Sequence, residues 1–176
     1  MPESIRRKGY QSLIFLAAAA VVVVSDQASK AWTMDALAPH PGRAVSVIPR
    51  LLCFQYAQNT GAAFSLFDGY PAVLTVVAMV LALGVLAWSL LLPDREKTSR
   101  VALGLVFGGA VGNLIDRFTH GFVVDFIQIH WDSQRLWPTF NIADSAICVG
   151  IGLFVLSSWF LSRRSEKTPT PAGPAS

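Results

Sequence analysis

The chain has 176 residues, of which 53% are hydrophobic and only 14% charged, with a formal net charge of +3 at neutral pH. A soluble domain carries about 25% charged residues, so this composition excludes an ordinary soluble fold and indicates a polytopic membrane protein of one compact domain. The small positive charge comes without the basic cluster that reads nucleic acid, and the two cysteines, Cys53 and Cys148, fit no metal or disulfide framework.

In chain order, uncharged runs cover residues 9–25, 69–93, 101–115 and 145–162, with lengths of 17, 25, 15 and 18. A membrane span needs about 20 mostly apolar residues, within a range of about 17–25. The first, third and fourth runs therefore span only if their polar flanks also sit at membrane depth. Including those flanks, the predicted spans are approximately 10–30, 70–92, 100–118 and 142–162. The first run also resembles the basic and apolar regions of a signal peptide, but Asp26 and Lys30 are poor neighbours for a cleavage site, and three more spans follow.

Between the first two spans, "AVSVIP" and "LLCFQYAQN" carry the β-branched and aromatic content of short strands, with Pro49 and "NTG" marking turns. A small sheet is predicted within about 35–68, outside the membrane. The segment 120–140, "HGFVVDFIQIHWDSQRLWPTF", is aromatic-rich and is predicted as an interfacial loop or helix. The last residues, about 166–176, read as a disordered tail.

Lys and Arg set the orientation. Arg6, Arg7 and Lys8, then Arg95, Lys97 and Arg100, then Arg163, Arg164 and Lys167 fall on one side, which makes nine of the fourteen. Both termini are therefore expected in the cytoplasm. Asp26 then ends the first span, Asp116 ends the third and Asp144 begins the fourth, all at the outer face.

Gly104, Gly108 and Gly112 recur at every fourth residue and predict a groove for a second backbone, with Gly150 and Gly152 as a similar pair in the last span. Asn113, Asp116 and Arg117 share a helix face, as do Asn141 with Asp144 and Asp26 with Lys30. Polar faces on lipid-embedded helices point into the bundle, so three helices offer groups that can converge.

Asp144 at a helix start suits capping, because a carboxylate accepts helix N–H bonds. Asp125 lies between Val124 and Phe126 with no basic neighbour, and burial without a counter-charge raises a carboxylate pKa. Asp116 is followed by Arg117 and reads as an ion-paired scaffold group. Asp125 is thus the better partner for Asp144. Two carboxylates held close share one proton; the ionised one activates water and the protonated one donates to a carbonyl or leaving amine.

"DQASK" (26–30), "NTGAAFS" (59–65), "GNLIDR" (112–117), "VVDF" (123–126) and "FNIADS" (140–145) together resemble the ordered signatures of lipoprotein signal peptidase, signal peptidase II. Each motif is weak alone; five in order on a four-span plan are specific. The resemblance implies an intramembrane aspartic endopeptidase that cuts prolipoproteins just before a cysteine carrying diacylglycerol. It implies Asp125 and Asp144 as the catalytic pair, and Asp26, Lys30, Asn59, Gly61, Asn113, Asp116, Arg117, Asn141 and Ala143 as residues that orient the pair or bind substrate. It further implies a mobile element around "HGFVV", no cofactor or metal, contact with membrane lipids but not nucleic acid, a monomer, and residence in the bacterial inner membrane with the site at the extracytoplasmic face.

Three other readings are weaker. A proton-coupled transporter needs carboxylates reaching both leaflets, whereas these are shallow and one-sided. A Mg²⁺-dependent phosphatase or transferase needs clustered acidic ligands with phosphate-binding cations, and only Arg117 stands near. A purely structural protein would use the aspartates as helix caps.

Overall fold

The computed structural model describes residues 3–61, 71–92, 96–131 and 134–166. Its elements are α1 (Glu3–Ala36), β1 (Ala44–Ile48), β2 (Leu52–Asn59), α2 (Pro71–Leu91), α3 (Lys97–His120), β3 (Val123–Trp131), β4 (Gln134–Arg135) and α4 (Ile142–Glu166). All four helices are long and apolar enough to cross a membrane, and the four strands form one antiparallel arrangement in the order β1-β2-β3-β4. The tail from residue 167 and residues 62–65 of the "NTGAAFS" motif lie outside the described residues.

The helices outrun the uncharged stretches. α1 is 34 residues long and passes through Asp26 and Lys30 instead of ending at the aspartate. The two side chains sit one turn apart and pair at 2.8 Å, so neither charge has to leave the helix for water. α1 stops just before Pro39, which cannot continue it. α3 ends at Gly121, whose φ of 80° is the left-handed cap conformation and whose N–H bonds Arg117 O.

α3 is the central helix and packs against α1, α2 and α4. The glycine groove accounts for this. A Cβ at Gly104 would stand 2.6 Å from Phe15 O, and one at Gly108 would stand 2.7 Å from Ala19 O, both on α1. Gly150 of α4 is equally tight against Ala102 O, at 2.7 Å. Gly152 differs from expectation: it faces open space and makes no close approach. Outward from this core, Val76, Val80, Leu83 and Leu90 on α2 and Val149, Val155 and Leu156 on α4 are exposed, as apolar side chains are where lipid is the solvent.

Arg100, one of the cations that set the orientation, is buried in the first turn of α3. Its guanidinium donates to Ser89 O at 3.0 Å and Leu92 O at 2.8 Å, closing the open carbonyls at the end of α2.

β1 and β2 lie where their β-branched content placed them. They join through a turn in which Leu51 N–H bonds Ile48 O at 3.0 Å, with Pro49 leading and Arg50 at φ 64°. The segment 120–140 departs from the interfacial loop or helix expected there. It supplies β3, which pairs with β2, and the short β4. The cause is burial on both faces: Val123 to Phe126 are enclosed against the helices, and such a strand reads as a continuous apolar run without alternation. Between Phe54 and Ala57 the register shifts, because Phe54 pairs with Ile127 and Ala57 with Asp125. One extra β2 residue therefore bulges beside Asp125, a common device for aiming a side chain.

Candidate active site

Asp125 enters from β3 and Asp144 from the first turn of α4. Asp125 is 2% exposed, while Asp144 is half-buried. One residue joins them. Asn141 donates from Nδ2 to Asp125 Oδ1 at 2.7 Å, and its backbone N–H reaches Asp144 Oδ2 at 3.3 Å. Its Oδ1 accepts the Asp144 N–H at 2.9 Å. The last two bonds form a reciprocal cap on α4. Asn141 is thus the capping residue and Asp144 its return partner, which refines the expectation that Asp144 itself caps the helix.

The outer oxygens are also held by amides. Asn59, at the end of β2, donates to Asp125 Oδ2 at 2.9 Å, and the Gly61 N–H holds Asn59 Oδ1 at 3.2 Å. Asn113 of α3 donates to Asp144 Oδ1 at 2.8 Å. Asn113 is oriented by Lys30, whose ammonium donates to Asn113 Oδ1 at 3.0 Å. An amide turned this way must present its NH₂ to the carboxylate.

Beneath this pair lies a buried ionic triad. Lys30 bridges Asp26 at 2.8 Å and Asp116 at 2.9 Å, with all three side chains at most 2% exposed. Asp116 was expected to pair with its neighbour Arg117; its ion pair is with Lys30 instead, while Arg117 donates to Asn113 O at 3.2 Å. Arg117 remains within electrostatic reach of Asp144, Asp125 and Asp116. The triad also grips the main chain. Asp116 accepts Val124 N–H at 2.9 Å, and Asp26 accepts Ala143 N–H at 2.9 Å. Val124 precedes Asp125 and Ala143 precedes Asp144, so each scaffold carboxylate fixes the backbone beside one member of the pair. Gly112 lets Asp26 approach: a Cβ there would stand 2.6 Å from its carboxylate oxygen.

The environment sets the chemistry of Asp125. Desolvation, then the nearby Asp144 carboxylate, push its pKa up to about 7, against the opposing hydrogen bonds of Asn59 and Asn141 and the charge of Lys30. A carboxyl group in that range holds a proton near neutrality and can give it up.

Every residue singled out in the sequence for this chemistry lies in this constellation. Gln27 was missed. Its amide donates to Asp116 at 3.0 Å, Asp26 at 3.2 Å and Gly112 O at 3.1 Å, supplying polar contacts to the two carboxylates that share one lysine. It stands inside "DQASK", but only the three-dimensional approach of α3 reveals its work.

Comparison with known proteins gives the family. The family model described as signal peptidase (SPase) II matches residues 18–160. The lipoprotein signal peptidase of Syntrophotalea carbinolica is 41% identical over 153 residues, covering 85% of this chain and 92% of that protein. The lipoprotein signal peptidase of Pseudomonas putida is 42% identical over 150 residues, covering 83% and 86%. Among solved structures, a bacterial membrane enzyme determined by the in meso method at 2.3 Å resolution superposes with a TM-score of 0.73 at 29% identity, covering 93% of this chain and 94% of the other. The chain is a multi-pass membrane peptidase and belongs to the signal peptidase II family.

Proposed function

We propose that Asp125 and Asp144 are the catalytic pair of an intramembrane aspartic endopeptidase that removes signal peptides from prolipoproteins, cutting just before a diacylglyceryl-modified cysteine. The observation that carries this reading is the single Asn141 side chain and its own backbone N–H bonding both carboxylates. It holds the two groups in one geometry without neutralising either.

Asp125, buried and raised to about 7, holds the shared proton; Asp144, nearer to solvent, is the base. Asp144 takes a proton from water as its oxygen attacks the peptide carbonyl carbon. Asp125 donates its proton to the carbonyl oxygen. Collapse of the tetrahedral species breaks the C–N bond: the amine leaves with the proton that Asp144 had taken, and a hydroxyl proton of the tetrahedral carbon returns to Asp125 as the new carboxyl group forms. Asn59, Asn113 and Asn141 orient the pair, helped by Gly61. Asp26, Lys30 and Asp116 fix the adjoining backbone at Ala143 and Val124. Arg117 adds positive potential at the rim, suited to polar groups of the substrate.

The positive-inside count supports both termini in the cytoplasm of a bacterial inner membrane, with the site at the extracytoplasmic face. A substrate whose signal peptide is itself a membrane helix then meets the pair at the lipid boundary. The enzyme acts as a monomer, without metal at the pair.

In vitro cleavage of a diacylglyceryl-modified prolipoprotein in detergent tests the reading. Asp125→Asn and Asp144→Asn should each abolish cleavage while leaving the chain folded and inserted; near-normal turnover in either would sink the assignment. Chelation by EDTA should leave turnover unchanged, whereas loss restored by Mg²⁺ would favour metal chemistry. In a cysteine-free background, a cysteine at position 40 should label from outside and one at position 97 from inside; the reverse pattern would overturn the orientation.

A further inference from the structure

The end of the sheet remote from the carboxylate pair carries a strained arginine. β1 and β2 join through the turn Ile48–Leu51, in which Pro49 is second and Arg50 third. Arg50 has φ 64°, and no other non-glycine residue among the described residues has a positive φ. Proline suits the second position of a type II turn, and the third then needs the left-handed conformation that glycine takes without strain. An arginine held there is disfavoured by its own backbone, and strain of this kind collects at binding sites.

Its surroundings are apolar and exposed. Trp131 is 71% exposed and Trp137 58%, and Ile48, Leu51 and Leu136 are open as well. Arg50, Pro49, Leu51 and Trp131 line an open cavity of about 360 Å³. A second arginine, Arg135 of β4, opposes His130, whose N–H bonds Leu51 O at 2.8 Å on the other side. Arg50 and Arg135 thus flank the end of β3. Asp125 lies toward the opposite end of that strand, and Asp132, next to Trp131 in sequence, is outside the described residues.

This end is also tethered close to the bilayer. The chain after β4 turns back along β3, with the Leu136 N–H on Ile129 O at 2.9 Å and the Phe140 N–H on Ile127 O at 3.1 Å. It then enters α4, a helix of membrane-spanning length, at Ile142. The stretch from Arg135 to Ile142 reaches at most about 25 Å.

We propose that Arg50, Arg135 and Trp131 form a binding site for the headgroup phosphate of an anionic phospholipid such as phosphatidylglycerol. Tryptophan and leucine exposed beside arginine are the composition of a membrane–water interface, and an open apolar patch of this kind marks a contact surface. A guanidinium pairs with phosphate through two parallel hydrogen bonds. Trp131, with an apolar ring and one N–H, takes the ester level below the phosphate. Two arginines favour a headgroup that carries no compensating ammonium. The site holds the sheet, and with it the strand bearing Asp125, against the membrane surface. It is separate from the catalytic assignment, and its test involves no cleavage.

The full chain in detergent micelles is titrated with phosphatidylglycerol or phosphatidylcholine brominated in the acyl chains, with tryptophan fluorescence as the readout. The quenching that Trp131→Phe removes belongs to Trp131. Phosphatidylglycerol should produce it at a concentration at least about fivefold lower than phosphatidylcholine, the effect of roughly one cation at a lipid surface. Arg50→Gly should erase that preference while the thermal midpoint stays level or rises, because glycine relieves the turn. Sodium chloride at about 0.5 M should shrink the preference in the unmodified chain, which covers an unstable variant. Equal quenching by the two lipids, a preference unchanged by salt, or one unchanged in Arg50→Gly overturns the proposal. Absence of Trp131 quenching by either lipid assigns the patch to a protein partner and also overturns it. Displacement of the lipid by equimolar glycerol phosphate would make this a site for soluble anions instead.

Discussion

Two pairs of aspartates share one end of this helix bundle, and they are held by opposite means. Asp26 and Asp116 share an ammonium, that of Lys30, with an amide from Gln27 and one backbone N–H for each. Asp125 and Asp144 share the neutral amides of Asn59, Asn113 and Asn141. A carboxylate paired with a buried cation and a backbone N–H is a fixed anchor. A carboxylate held by amides keeps its geometry in either protonation state, which is what exchange of a proton demands. Hydrogen-bond donors without formal charge thus distinguish the pair proposed to be catalytic from the ion-paired one.

The comparison can be broken or sharpened by substitution. The largest effect is expected on the amide-held pair. Asp125→Asn or Asp144→Asn should lower the cleavage rate by at least about a thousandfold, within the range that acid–base groups contribute, with thermal unfolding still cooperative. Next is Lys30→Met, which leaves two buried carboxylates without their cation. Loss of one partner from a buried pair costs about 3–5 kcal/mol; a denaturation midpoint equal to that of the parent chain would show that the triad is not the anchor described.

The third expectation concerns pH. Because the folded-state pKa of Asp125 is raised to about 7, the folded chain binds its proton more tightly than the unfolded chain, whose ordinary value is about 4. That stabilisation is complete below about pH 4 and is lost as pH rises through about 7. Cleavage should fall over the same upper limb as Asp125 loses its proton. Asp125→Asn should flatten the dependence of Tm on pH between about 5 and 8; an unchanged slope would assign the titration elsewhere.

A smaller effect is expected for Gln27→Leu. It removes hydrogen bonds to charged groups, typically worth about 1.5–3 kcal/mol, and should lower stability more than kcat. The smallest is for Asn59→Ala. Its hydrogen bond opposes the rise of the Asp125 pKa, so the alkaline limb of the rate profile should move upward, and a downward move would contradict the amide's role.

Much of this is legible in the sequence. Asp125 stood out from Asp116 because its chain neighbours are apolar, and the glycine repeat in α3 announced a close helix contact. Other features could not be read locally. Asp26 and Lys30 looked like the end of a span, because the partners that satisfy their charges inside the bundle, each other and Asp116, meet only in the fold. β3 was obscured because burial on both faces erases the alternation that identifies a strand. The ion pair of Asp116 with Lys30, and the meeting of Cys53 with His130 across 77 positions, depend on tertiary approach and leave no trace in spacing.

Asn141 has a consequence for how the molecule comes into being. It lies just ahead of the last helix, and it both starts that helix and reaches Asp125. A growing chain that has inserted only its first three helices carries Asp125 on a strand with neither its partner nor its principal donor. With Asp125 and Asp144 as the proposed catalytic pair, competence to cut is the last property the chain acquires during synthesis, because a chain lacking its final span has only half of that pair.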